Sequence, residues 1–232
     1  MLTRELEYGL AGAQQGLVGK AKIGASMTLG SYVLPGLVAG LRSKYPHGEM
    51  AVNITSPVEV TSSLREGTSD FAITNLDPRQ DVSGLKVQKL AYEHLVLVAS
   101  PTSSFKSSEI TNKRLSEVDF VSAQSDTPRR EIEEILLMEL GVSRRRVVME
   151  FGHAEAIKQA VRAGAGLALL FRSSIKDELL AGTLKEIKFS GAPLLVPVFV
   201  IRREGRELDK FQTTLLNSLV EGVEDYFTYS TE

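Results

Sequence analysis

The side chains placed to do chemistry in this chain are hydroxyls and amides rather than thiols or paired acids and bases. Ser26 and Thr28 stand between a run ending in Gly24-Ala25 and an apolar pattern Leu34, Leu37, Val38, Leu41. Ser125 and Thr127 hold the same position before Pro128, with Gln124 at the start of that turn. A helix start has free amide donors and a partial positive charge, so hydroxyls beside it suit a carboxylate or phosphate. The same hydroxyls also suit plain helix capping, and both readings stand. Asp126 inside the second turn would repel an anion, and Arg129 is the nearest compensating charge. His153 precedes a helix, where capping and ligand contact are both open.

Other chemistries lack their residues. Cysteine is absent, which excludes disulfides, thiolate metal sites and cysteine nucleophiles. No Gly-x-Ser-x-Gly elbow, His-Glu-x-x-His helix or Walker loop occurs, so no catalytic residue, metal site or cofactor is assigned and no enzyme is expected. His47 and His94 have no metal-ligand spacing. Gly164 to Gly166 follows a helix and precedes a strand, the reverse of a dinucleotide loop, and reads as a helix-ending corner. The formal net charge of -2 draws nothing to nucleic acid, and Arg144-Arg145-Arg146 and Arg202-Arg203 read as solvated runs. No apolar stretch has signal-peptide or membrane-span length, so the expected location is the cytoplasm, with no membrane contact.

The elements that must position these residues follow from periodicity. Residues 20–25 read as a strand, and the helix with apolar face Leu34, Leu37, Val38, Leu41 stops at Tyr45-Pro46. Strands at 49–54 and 70–74 flank a helix that starts at Ser56-Pro57 and stops at Gly67. Asn75 follows the second of these strands, before a turn at Asp77-Pro78. Two separate strands are expected at 85–90 and 94–99. Ser100 and Thr102 then begin the most loop-like stretch of the chain, taken as the crossing into a second lobe. That lobe alternates strands at 120–122, 147–151 and 167–171 with helices at 128–140, 154–163 and 173–180. A strand at 193–201 and a helix at 207–223 close the chain. Such alternation implies an α/β fold with mainly parallel sheets and ligands at strand carboxyl ends, and 232 residues suffice for two lobes.

Ile23-Gly24-Ala25, Thr28, Leu34-Pro35 and Tyr45-Pro46, together with the stretch His153 to Ser174, resemble the effector-binding domain of LysR-type transcriptional regulators. The resemblance covers about the whole chain. It implies two Rossmann-like lobes joined by a two-stranded hinge, of the type 2 periplasmic-binding-protein kind. The implied division is residues 1–18 as the end of a linker helix, 19–98 with 196–232 as the first lobe, and 99–195 as the second. It implies a small-molecule effector between the lobes, with an organic acid expected, and ligand contacts from Ser26, Thr28, Asn75, Ser100, Thr102, Gln124, Ser125, Thr127, His153 and Phe171. Pro128 and Asp126 depart from the arginine and glycine usual in the second turn. DNA would be bound only through a winged helix-turn-helix for which this chain has no residues. The resemblance also implies a homodimer, with a tetramer open to the full-length protein. In that dimer the helix 31–45 of one chain lies against 128–140 of the other, and Val33, Leu37, Leu137 and Leu140 are the expected contacts. The alternative is a stand-alone solute-binding protein of a transporter.

Overall fold

The computed structural model describes residues 18–76, 80–103, 105, 107–189 and 191–229. The expected tail at 1–18 and the turn at Asp77-Pro78 fall outside them, except for Val18, which opens the first strand. The first half of the chain runs β1 (Val18–Ser26), α1 (Leu34–Lys44), β2 (His47–Thr55), α2 (Pro57–Glu66), β3 (Phe71–Thr74), β4 (Leu85–Ala99), β5 (Glu109–Ile110) and α3 (Asn112–Leu115). The second half runs β6 (Asp119–Ala123), α4 (Pro128–Glu139), β7 (Arg146–Phe151), α5 (Ala154–Arg162), β8 (Ala168–Phe171), α6 (Lys176–Leu180), β9 (Lys185–Phe189), β10 (Leu194–Arg203) and α7 (Lys210–Tyr229). A π-helical turn, Leu29–Val33, leads into α1, and a 3-10 turn, Arg172–Ile175, leads into α6.

The chain divides into two compact units, Met1–Tyr92 with Pro197–Glu232, and Glu93–Val196. The first crossing therefore falls at Glu93 rather than at residue 99. The two strands expected at 85–90 and 94–99 are one continuous strand, β4, and the loop composition after Ala99 marks its end, not the boundary.

In the first unit β1 pairs in parallel with both β2 and β3, and β10 pairs antiparallel with β3. Ile23, Leu29, Leu34 and Phe71 from this sheet and the helix after β1 meet Phe211, Leu215, Leu219 and Val223 of α7 in one buried core. Those four α7 residues are the stripe that its sequence period marks. The second helix begins with a capping box: Ser56 Oγ accepts from the Glu59 amide while the Glu59 carboxylate accepts from the Ser56 amide. It ends at Gly67, whose φ of 76° needs a residue without a β-carbon.

In the second unit β4 pairs antiparallel with β8 and with β9, β6 pairs in parallel with β7, and Phe120 bridges to Leu167. Adjacent residues alternate between two cores, as a sheet covered on both faces requires. Leu97, Phe120, Leu137 and Leu169 enter one; Val98, Val121, Ile157 and Leu170 enter the other.

Three expectations fail here. Val33 and Leu137, expected at a dimer surface, are 2% and 3% exposed and belong to the cores of their own units. Arg145, expected on a solvated run, is buried against Glu133, with Nη2 at 2.9 Å from Oε2. The helix expected to start at residue 31 begins earlier, because Leu29, Val33 and Leu34 are all buried and a π turn, with the Leu34 amide on the Leu29 carbonyl, brings all three inward.

Candidate functional site

Parallel pairing of β1, β2 and β3 gathers their carboxyl ends, and the polar residues of the first unit collect there. Ser26 ends β1 and Asn75 follows β3; with Thr28 they are 5%, 4% and 7% exposed. Ser26 Oγ donates to Asn75 Oδ1 at 3.4 Å, and Asn75 Nδ2 donates to the Pro197 carbonyl at 3.1 Å. Asn75 is thereby oriented by β10, while Ser26 keeps only a long bond. Thr28 stands at the cap position of the π turn, yet among the described residues its hydroxyl makes no capping bond. Capping does not account for Thr28. What remains is a neutral hydrogen-bonding group at a helix start, suited to an acceptor-rich ligand.

In the second unit the hydroxyls are already committed to partners within the unit, and only Thr127 acts as a cap. Ser125 donates both its amide and its Oγ to Glu150 Oε2, each at 3.1 Å, and Arg130 Nη1 donates to Glu150 Oε1 and to the Ala123 carbonyl, each at 3.0 Å. The Ser125 amide, ahead of its hydroxyl and Arg130, holds the Glu150 carboxyl below the usual carboxylate range. Thr127 Oγ1 donates to the Gln124 carbonyl at 2.7 Å and accepts from the Arg130 amide at 3.3 Å, an N-cap of α4. Asp126 adopts φ 66°, a left-handed conformation uncommon outside glycine. Arg129 does not face Asp126's charge: its Nε donates to Glu133 at 3.2 Å, its Nη2 to the Leu169 carbonyl at 2.7 Å, and its guanidinium lies 5.0 Å from the Phe171 ring centre.

Phe171 is a core residue, 5% exposed beneath Arg129. His153 is exposed at the cap of α5 and makes no capping bond among the described residues. Gln124 is exposed beside it, its Oε1 near Gly152, where an added β-carbon would meet it at 3.1 Å. Gln124, Ser125 and His153 are all exposed, but the Ser125 hydroxyl already donates to Glu150.

Ser100 and Thr102 are not brought to this group. Leu95 lies opposite Phe171 and Val98 opposite Ala168, while β8 follows β6 in parallel at Leu167. The strand β4 therefore enters the unit at the carboxyl ends of β6 and β8 and leaves at their amino ends, carrying Ser100 and Thr102 away. Their hydroxyls bond each other at 2.9 Å in a local turn. The residue that does lie at the carboxyl ends is Glu93, which sequence reasoning passed over. It is 1% exposed and accepts a hydrogen bond from Ser173 Oγ. Burial pushes its carboxyl up to about 7. A lone acid inside a long β-rich stretch was the available signal.

Among the described residues no group of three or more His, Cys, Asp or Glu could hold a metal ion, and no helix is long and apolar enough to cross a membrane. A model of the LysR substrate binding domain matches residues 14–224. The chain belongs to this family. LysR-type relatives include a probable RuBisCO transcriptional regulator of Cyanidioschyzon merolae, 28% identical over 87% of this chain. The uncharacterized HTH-type regulator YeiE of Escherichia coli is 31% identical over 73% of it. The chain spans 68% and 57% of their respective lengths. Solved LysR-type folds agree: the Synechocystis CcmR regulatory domain, determined in complex with 2-PG, aligns with a TM-score of 0.76 at 23% identity, covering 88% of this chain and 96% of that one. The QuiR effector binding domain, determined with shikimate, aligns at 0.75 and 12% identity, covering 90% and 99%. The α/β expectation holds, and the LysR assignment displaces the transporter alternative.

Proposed function

We propose that this LysR domain senses a small organic acid for a longer DNA-binding regulator, with Ser26, Thr28 and Asn75 as the principal recognising groups. The carrying observation is the Thr28 hydroxyl, held at a helix start and not used as a cap. Within the second unit, Gln124 and His153 are exposed polar groups. Ser125 and Thr127 act indirectly, by holding their turn. The ligand acts through its differential affinity for two conformations of the domain, which biases a DNA-binding part outside this chain. The operator contact belongs to a winged helix-turn-helix in the longer protein, and this chain alone is not expected to select an operator.

A panel of small carboxylic acids tests the reading by thermal shift. A ligand at 100 times its Kd adds about 2.7 kcal/mol, a melting shift of roughly 5 to 10 °C for a chain of this length. Ser26→Ala and Thr28→Val are expected to abolish most of that shift while leaving the ligand-free melting point within a few degrees. Stabilisation by neutral sugars with none by any acid would overturn the acid assignment.

We also propose a homodimer in which α1 of one chain lies against α4 of the other. The helix α4 exposes Ile135 (37%) and Met138 (66%), and α1 exposes Gly36, Ala39 and Gly40. An apolar groove of about 650 Å³, lined by Pro35, Val38, Ala39, Met50, Val52 and Ile54, runs beside α1.

A further inference from the structure

The second unit contains a buried charge cluster that none of its capping or core packing explains. Glu133, 1% exposed, accepts from Ser122 at 2.9 Å and from Arg129 at 3.2 Å, and pairs with Arg145 at 2.9 Å. Glu93 faces the same Arg129 and is held by Ser173 on Oε1. Its other oxygen, Oε2, is buried with no hydrogen-bond partner among the described residues. Arg129 spends Nε and Nη2 on Glu133 and the Leu169 carbonyl, leaving Nη1 outside both bonds.

The charges close differently in the two states of Glu93. With Glu93 protonated, two guanidiniums face one carboxylate; with Glu93 ionised, two face two. Oε2 is closed to solvent, so the proton is the ligand small enough to reach it without rearrangement. Arg129 is the second residue of α4, after Pro128 and two positions beyond the cap Thr127, so whatever moves Arg129 moves the turn that carries Gln124.

We propose that Glu93 is a proton-operated positioning residue: losing its proton, it draws the Arg129 guanidinium from Glu133 and shifts the start of α4 with the Gln124 to Thr127 turn. The groups facing Glu93 are Arg129 from α4 and Ser173 from the 3-10 turn, with Ser173 and Arg129 both favouring the ionised form against burial. On its own strand the neighbour is His94, whose imidazole burial and then Arg172 push down, with Glu186 opposing. Burial raises the carboxyl to about 7, so the folded chain holds the proton more tightly than the unfolded chain does. The stability tied to that proton is full below the ordinary glutamate range and is lost as pH rises through about 7.

The test is nuclear magnetic resonance of the whole chain from pH 5.5 to 8.5. The Glu93 carboxyl carbon is expected to titrate with a midpoint near 7, and the Arg129 Nε–H and the Thr127 and Arg130 amides to shift with the same midpoint. In Glu93→Gln, which keeps an oxygen for Ser173, that common transition is expected to vanish. In His94→Gln and His153→Gln it is expected to persist. A Glu93 midpoint in the ordinary glutamate range overturns the proposal from the wild-type chain alone, whether or not any variant folds. So does a transition at Arg129 that survives Glu93→Gln or disappears with His94→Gln.

Discussion

Single buried charges in this protein are worth far more than its surface pairs, and Glu133 is the clearest case. It is the one carboxylate on which Ser122, Arg129 and Arg145 converge, and both guanidiniums are themselves largely buried. Glu133→Ala leaves two cations without a counter-charge, a loss of about 3 to 5 kcal/mol for a buried pair broken from one side. Lys20 and Glu49 lie at 2.7 Å but are 77% and 69% exposed, so Glu49→Ala is expected to cost less than about 1 kcal/mol. Urea unfolding of the two variants measures the contrast; equal midpoints would mean that the Glu133 cluster is solvated in solution. Nothing in a run of three arginines says that the middle one turns inward. Arg145 does so because Glu133, on the preceding helix, and the Phe120 ring, 5.5 Å from its guanidinium, are both waiting there. Side-chain partners of this kind were illegible because they depend on how separate elements stack. The same reason hid Glu93: Ser173 is 80 residues away in the chain.

Elements with a full period were legible, and those built by continuity or by a local irregularity were not. The helix α7 shows why periodicity carries: Phe211, Leu215, Leu219 and Val223 recur on one face, and all four are buried. The break between two expected strands inside β4 lay at Ala91-Tyr92-Glu93, where alternation lapses although the backbone does not. The π turn before α1 and the short β5, α3 and β9 have too few residues to show a period. Reading β4 as two strands also misplaced Ser100 and Thr102, because the end of the sheet they occupy depends on β4 running antiparallel to β8. One contact sets how closely α7 approaches the first sheet. Phe211 lies over Gly19 and Gly48, and a β-carbon at Gly48 would meet its ring at 2.4 Å. Tyr45 meets the same ring edge-on, with centres 6.1 Å apart. Gly48→Ala therefore overpacks this layer, at a cost of about 1 to 3 kcal/mol. Phe211→Leu made in that background is expected to recover part of the loss, although alone it destabilises. A double variant no better than the sum of the singles would show that Gly48 is required for its backbone and not for room.

At the scale of the whole molecule the open question is what covers α1 and α4. Sequence period marked Val33 and Leu137 as surplus apolar surface, yet each is consumed by its own unit's core. Val33→Glu or Leu137→Glu would place a charge in that core and unfold the chain, so neither probes assembly. The residues left exposed are of another kind. On α4 they are Ile135 and Met138; on α1 they are Gly36, Ala39 and Gly40, small enough to let a second helix approach closely. A β-carbon added at Gly36 or Gly40 would meet nothing within 4 Å. If α1 of each chain takes α4 of the other, a two-fold axis repeats the contact and closes the assembly without a free face. Ala39→Glu and Met138→Glu are expected to yield monomers by light scattering at micromolar concentration, where the proposed parent state is a dimer. Each should keep its melting point within a few degrees at a concentration where the parent is also monomeric, since neither position is buried within the chain. A parent that is monomeric at that concentration, or a dimer indifferent to both charges, rules the interface out.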